Sequence, residues 1–150
     1  MVLLFFLGAG IGPGVAGADA QPDADIELPF AMPWGDRPPR LEERGERRWL
    51  TTAALGRPEE KARRLSVMRE TARQSGEQRA RDALHRWVDD ALARVWARPH
   101  VATAAHRVIR QKARVLGVRP LVEGAAVVLM GVPVPSLREA APVEDVPWAR

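Results

Sequence analysis

Arg107, Arg110 and Arg114 are spaced at steps of three and four residues, which on a helix sets three guanidinium groups along one face. They lie within a stretch between Asp90 and Glu123 that holds no acid and carries Arg94, Arg98, Arg107, Arg110, Lys112, Arg114 and Arg119. Guanidinium groups hold phosphate and carboxylate through paired donors. A basic stripe also attracts polyanions through a salt-sensitive contact. The chemistry expected at Arg107, Arg110 and Arg114 is therefore anion binding. The competing expectation is a solvated face balanced by Asp and Glu from other segments.

Other chemistry finds less support. His85, His100 and His106 lack the spacing of a zinc site, and the absence of Cys removes thiolate ligands and disulfides. His85 and Asp89 stand one helical turn apart and can pair, which reads as a surface hydrogen bond rather than general-base catalysis. Ser66, Ser75 and Ser136 have no nucleophile context. The glycines of GAGIGPG, residues 8–14, match a phosphate loop only by count, since no strand precedes them. No cofactor or metal is expected. An enzyme is unsupported, although a concave pocket placing an acid beside one of the histidines would raise that reading.

The choice of anion depends on compartment. Val2 to Leu7 is an apolar run that continues through small residues to Ala18-Asp19-Ala20, an A-x-A cleavage pattern, so residues 1–20 read as a secretory signal peptide cut near Ala20. The positive n-region is missing, because no Lys or Arg comes after Met1. The alternative is an uncleaved membrane anchor, but Gly8, Gly10, Gly12, Pro13 and Gly14 interrupt the segment well short of the roughly 20 apolar residues of a span. A lipoprotein signal needs a Cys after the cut and is excluded. The expected location is periplasmic or secreted, and a retained transmembrane helix is not expected.

The chain of 150 residues has a net charge of +4, and the leader's one charged side chain is Asp19, so its removal makes the basic excess one larger. The strong preference for Arg over Lys, in a chain rich in Ala, Gly, Pro and Val, fits a GC-rich genome better than dedicated guanidinium chemistry. Residues 21–150 have the length of one domain, enough to bury one core.

Elements must then be found to position these residues. Residues 21–40 hold five Pro and no apolar period and read as an extended linker, with Phe30, Met32 and Trp34 at alternate positions able to dock on the folded part. Residues 41–55, LEERGERRWLTTAAL, read as a short helix burying Leu41, Trp49 and Leu55. From Pro58 to Arg98 an apolar stripe, Leu65, Met68, Ala72, Gly76, Ala80, Leu84, Trp87, Ala91 and Val95, keeps helical phase. Unbroken, that helix would be about 60 Å long; either Ser75-Gly76 breaks it, or Gly76 lets a neighbouring helix approach closely. One long amphipathic helix is the reading preferred, because the stripe keeps its phase through Gly76. Pro99 ends it, and a second, basic helix is expected from His100 to about Leu116 with Gly117 as its cap.

Residues 125–134, AAVVLMGVPV, are the one strong strand signal, with 115–122 as a possible hairpin partner that Pro120 would confine to an edge. A short helix, SLREAA, and a loose tail from 143 to 150 close the chain. The expected fold is a mostly helical α+β domain spanning 41–142, with a small C-terminal β-hairpin or strand. The expected function is that of an exported, non-enzymatic envelope protein binding anionic lipid, lipopolysaccharide or an acidic protein through a helical, partly basic face. Export argues against nucleic acid as the partner. The runner-up is a helical nucleic-acid-binding protein whose N-terminus is not a working signal, and the third reading is a small enzyme.

Overall fold

Two residues, Gly45 and Glu46, join the first two strands, β1 (Arg37–Arg44) and β2 (Arg47–Gly56). Gly45 takes the left-handed conformation (φ 58°) that a tight hairpin demands at its first central position. The computed structural model describes residues 30–150, and the fold continues with α1 (Leu65–Arg94), α2 (Pro99–Lys112), β3 (Arg114–Pro120), β4 (Ala126–Pro133) and α3 (Val134–Ala140). A 3-10 turn, Val122–Gly124, links β3 to β4. The strands form one sheet in the order β1-β2-β4-β3, every neighbouring pair antiparallel. The expected signal peptide at 1–20 and the linker residues 21–29 lie outside the described residues.

The expectation of a mostly helical chain with a small C-terminal β element is corrected by this sheet, half of which comes from before the first helix. Residues 41–55 are not a helix. Trp49 to Ala54 are all buried, on both faces of the sheet, so the run has no helical stripe to bury against a single neighbour. Linker residues 37–40 likewise belong to β1, an edge strand whose Pro38 and Pro39 have no amide hydrogen to offer a further strand. At the other edge, β3 ends in Pro120, as its expected edge position requires. The expected uncharged strand is β4, central and buried on both faces.

All three helices pack on one face of the sheet, where Leu50, Met130 and Val132 meet Leu84, Val88, Ile109 and Leu137. Each such side chain, removed fully from water, contributes about 1.5–3 kcal/mol. α1 runs unbroken through Ser75-Gly76, about 45 Å at 1.5 Å per residue. Its buried line is Ala72, Gly76, Ala80, Leu84, Val88, Ala91 and Leu92, so the stripe is legible through Leu84 and then turns slightly toward Val88 and Leu92. The close neighbour at Gly76 is the sheet rather than a helix. A methyl group there would come within 2.7 Å of Val128 Cγ2 and 3.2 Å of the Ala54 carbonyl oxygen.

The helix boundaries differ from those expected. Residues 57–64 cross the head of α1, with the Glu59 amide donating to Thr71 Oγ1 at 3.0 Å, and the helix starts at Leu65 instead of Pro58. Pro99 opens α2 as its first residue, a position where its missing amide costs nothing. α2 stops at Lys112, and Gly117 belongs to β3 instead of capping the helix. The tail is not loose: Val146 and Trp148 are buried in the core. Trp148 lies 5.9 Å from Trp87, ring centre to ring centre, and the Arg138 side chain donates to the carbonyl oxygens of Trp148 and Arg150.

Candidate functional site

Residues directly opposite in an antiparallel pair share a face, as do alternate residues along one strand. The register sets Arg37 against Ala53, Arg40 against Thr51, Glu42 against Trp49 and Arg44 against Arg47. Across the sheet it sets Arg114 against Gly131 and Arg119 against Val127. Ala53, Thr51, Gly131 and Val127 are themselves paired neighbours or alternate positions of β2 and β4 on the face that carries no helix. Six arginines, Arg37, Arg40, Arg44, Arg47, Arg114 and Arg119, therefore belong to that face, and Glu42 is the one acid its strands contribute.

The centre of this face is apolar. Phe30, Trp49, Ala53, Val127 and Leu129 form a small cluster on which Met32, Leu55, Leu116 and Leu121 pack. The segment from Phe30 to Trp34 lies over it, as docking of the linker's alternate apolar residues predicts. Phe30 meets Trp49 edge to face with ring centres 6.1 Å apart. Arginines stack on these rings: Arg44 lies 5.4 Å from the Phe30 centroid, Arg114 lies 4.9 Å from that of Trp49, and Arg119 lies 3.9 Å from that of Trp34. Stacking on a ring leaves a guanidinium charged. Trp34 is 78% exposed, so its Arg119 pair stands at the surface.

Glu42 is held between cations. Thr51 Oγ1 donates to it at 2.9 Å, Arg37 at 3.2 Å, and Arg40 donates through its guanidinium as well. Burial opposes ionisation of this carboxyl, but the hydrogen bonds from Thr51 and Arg40 and the charge of Arg37 outweigh it and hold the group below the usual carboxylate range. Burial in turn lowers the Arg37 guanidinium from its ordinary value, against the pull of Glu42. Glu42 thus organises Arg37 and Arg40 without neutralising the face.

The arginines expected to form one stripe are divided. Arg107 and Arg110 are exposed on α2, whereas Arg114 is the first residue of β3 and stacks on Trp49. The helix yields after Lys112 because Val115 and Val118 are β-branched and the buried edge of β4 offers a full ladder of partners. His85 and Asp89 do not pair with each other. Asp89 Oδ1 is bonded instead to His106 Nε2, at 2.6 Å, across the contact between α1 and α2. Among the described residues no group of three or more His, Cys, Asp or Glu is arranged to hold a metal ion. Arg37, Arg40, Arg44 and Arg47 escape sequence reasoning because they sit in segments read as linker and helix. The period-two run Arg40, Glu42, Arg44, leading into a turn glycine, is the signal that marks them. Comparison with known protein families, with curated proteins and with solved structures finds no match to this chain.

Proposed function

We propose that this chain is an exported, non-enzymatic envelope protein that binds anionic lipid, lipopolysaccharide phosphates included, through the arginine face of its sheet. The observation that carries the reading is the register that gathers six arginines against one glutamate on the face without helices. Near an anionic bilayer each Lys or Arg contributes about 1 kcal/mol. Arg40 and Arg47 are exposed, and Trp34 supplies an amphipathic ring of the kind that settles at a headgroup layer. The signal-like residues 2–20 support delivery to that compartment.

Flotation with anionic phosphatidylglycerol vesicles, lipopolysaccharide and neutral phosphatidylcholine vesicles at two salt concentrations tests it. Binding is expected to the anionic particles alone, to weaken with salt, and to fall by about tenfold or more in the triple variant Arg40→Gln, Arg47→Gln, Arg119→Gln. Equal binding by the triple variant defeats the reading. Preference for an acidic protein over lipid would redirect it to that partner. A second reading, single-stranded nucleic acid, is favoured by the Trp34 and Arg119 pair, since exposed rings stack on bases and arginines track phosphates. The mass of the N-terminus in cells decides between them: loss of residues 1–20 supports the envelope, and a full-length cytosolic product supports nucleic acid.

A further inference from the structure

α1 and α2 meet along Asp82, His85, Arg86, His106 and Arg110, which line an open depression of about 580 Å³. The His85 and His106 rings lie 4.5 Å apart, inclined at 51°. The two acids nearest them are already engaged. Asp89 accepts from, or shares a proton with, His106 at 2.6 Å, and Asp82 accepts a hydrogen bond from Gln78 Nε2 at 2.9 Å. The cations are not: neither Arg86 nor Arg110 forms an ion pair among the described residues. Arg81 Nη1 reaches the Arg110 carbonyl oxygen at 3.5 Å, which ties the last turn of α2 to α1 beside the depression. His85 Nδ1 is buried and has no hydrogen-bond partner, so a ligand in the depression cannot reach it and Nε2 is the nitrogen left to donate.

Two guanidinium groups with no ion pair among the described residues and an imidazole share one concave surface with a single lining carboxylate, Asp82, whose charge the neutral Gln78 amide leaves in place, so the lining keeps a cationic excess and a donor set for a small oxyanion. We propose that this depression binds a phosphate dianion, free or carried on a phosphomonoester, between Arg86 and Arg110 with the His85 imidazole as a third donor. The site stands whatever the sheet face binds, since the two share no residue. Its size accommodates a phosphate with a small organic substituent, and its openness places no demand on the rest of the ligand. The depression does set Asp82 beside His85 and His106, the arrangement that raises the enzyme reading, but ring centres only 4.5 Å apart cannot flank a scissile bond from opposite sides, so anion binding is the reading taken.

Proton linkage arises from the charges facing His85. On α1 these are Asp82, Arg86 and Asp89, and on α2 they are His106 and Arg110. Burial first, then His106 and Arg110, hold His85 below the ordinary histidine range, while Asp89 and Asp82 oppose them. An incoming dianion adds negative charge on the side of the cations, so it must raise the His85 pKa, and by reciprocity it must bind more tightly as His85 takes up its proton.

The test is an NMR titration of the histidine side chains in the full chain with inorganic phosphate and with sulfate, the latter a dianion at every pH used. Native protein is expected to show saturable shifts of His85 and His106 and an upward move of the His85 pKa with either anion. In Arg86→Gln and in Arg110→Gln, both expected to fold because the residues are exposed, the affinity should fall by about tenfold, the worth of one charge-assisted hydrogen bond. Arg110→Gln should also raise the His85 pKa in the absence of anion, which reports on the fold around the site separately from binding. Vesicles of phosphatidic acid that perturb the same resonances would place the phosphate on a lipid headgroup; a response to inorganic phosphate without one to vesicles would place it on a soluble ligand. The proposal is overturned if saturating phosphate leaves both histidines unmoved, or if the double variant of Arg86 and Arg110 titrates as the native protein does.

Discussion

Trp96 occupies the left-handed region (φ 53°) just past the end of α1, with 93% of its surface exposed. That is the position at which helices favour glycine, because a side chain there crowds the backbone at a cost of about 1–2 kcal/mol. The ring recovers little of this by burial. Trp96→Gly is expected to stabilise the fold by about 0.5–1 kcal/mol, part of the relief being returned as chain entropy in the unfolded state. Urea unfolding measures it, and a loss of stability would mean the ring makes contacts that matter. His85 supplies a second prediction at this scale. Its pKa is depressed in the folded chain, so the unfolded chain binds the proton first as pH falls. The contribution of His85 to stability is therefore complete above about pH 6.5, the unfolded value, and is lost as pH drops below it. His85→Asn should flatten that acid limb of a stability profile, and an unchanged slope between neutral and mildly acid pH would contradict the assignment.

At the scale of elements, the contact between α1 and β2 is made by a pair of glycines. A methyl group on Gly56 would overlap the carbonyl oxygen of Ala72, a backbone atom of a long helix that cannot step aside. At Gly76 the obstruction is chiefly the Val128 side chain, and alanine brings about 1 kcal/mol of helix propensity in return. Gly56→Ala is thus expected to cost about 3 kcal/mol or more and Gly76→Ala about 1–2, as thermal unfolding would show. Similar melting temperatures for the two variants would mean that the helix floats freely over the sheet. The same contact explains which elements are readable from sequence. A single stripe in helical phase, from Ala72 to Leu84, gives away α1, and an uncharged β-branched run gives away β4. β1 and β2 are hidden for opposite reasons. β2 is buried on both faces and loses its alternation, while β1 sets Arg40, Glu42 and Arg44 on one side and offers only Leu41 beside Glu43 on the other, in residues with strong helix propensity. The arginine face is invisible in the sequence because it exists only when two segments far apart along the chain are set side by side by β4. Arg114 is expected beside Arg107 and Arg110, because its spacing from Arg110 points to the helix and not to the strand that carries it.

For the molecule as a whole, closure of the core depends on the C-terminal tail. Trp148 is fully buried, its indole N–H donating to the Ala141 carbonyl at 3.4 Å, and the chain end is held by Arg138 and Arg48. Trp148→Ala is expected to cost about 3–5 kcal/mol, enough to leave many domains of this size unfolded at growth temperature. Calorimetry of the variant checks this, and a shift of only a degree or two would show the ring to be dispensable. The two layers also divide the chemistry: helices shield one side of the sheet and carry the histidine depression, and the other side presents Arg40 and Arg47 to solvent with the remaining four arginines half-buried around its apolar centre.

The prolines at the rims of the sheet have a consequence for the chain in crowded solution. Pro38 and Pro39 on one outer strand and Pro120 on the other withhold the donors that a neighbouring copy would need to zip on, and Arg40 repels a second cationic rim. Edge-to-edge stacking is therefore disfavoured at both flanks, which limits how readily an open, partly greasy sheet can template a copy of itself.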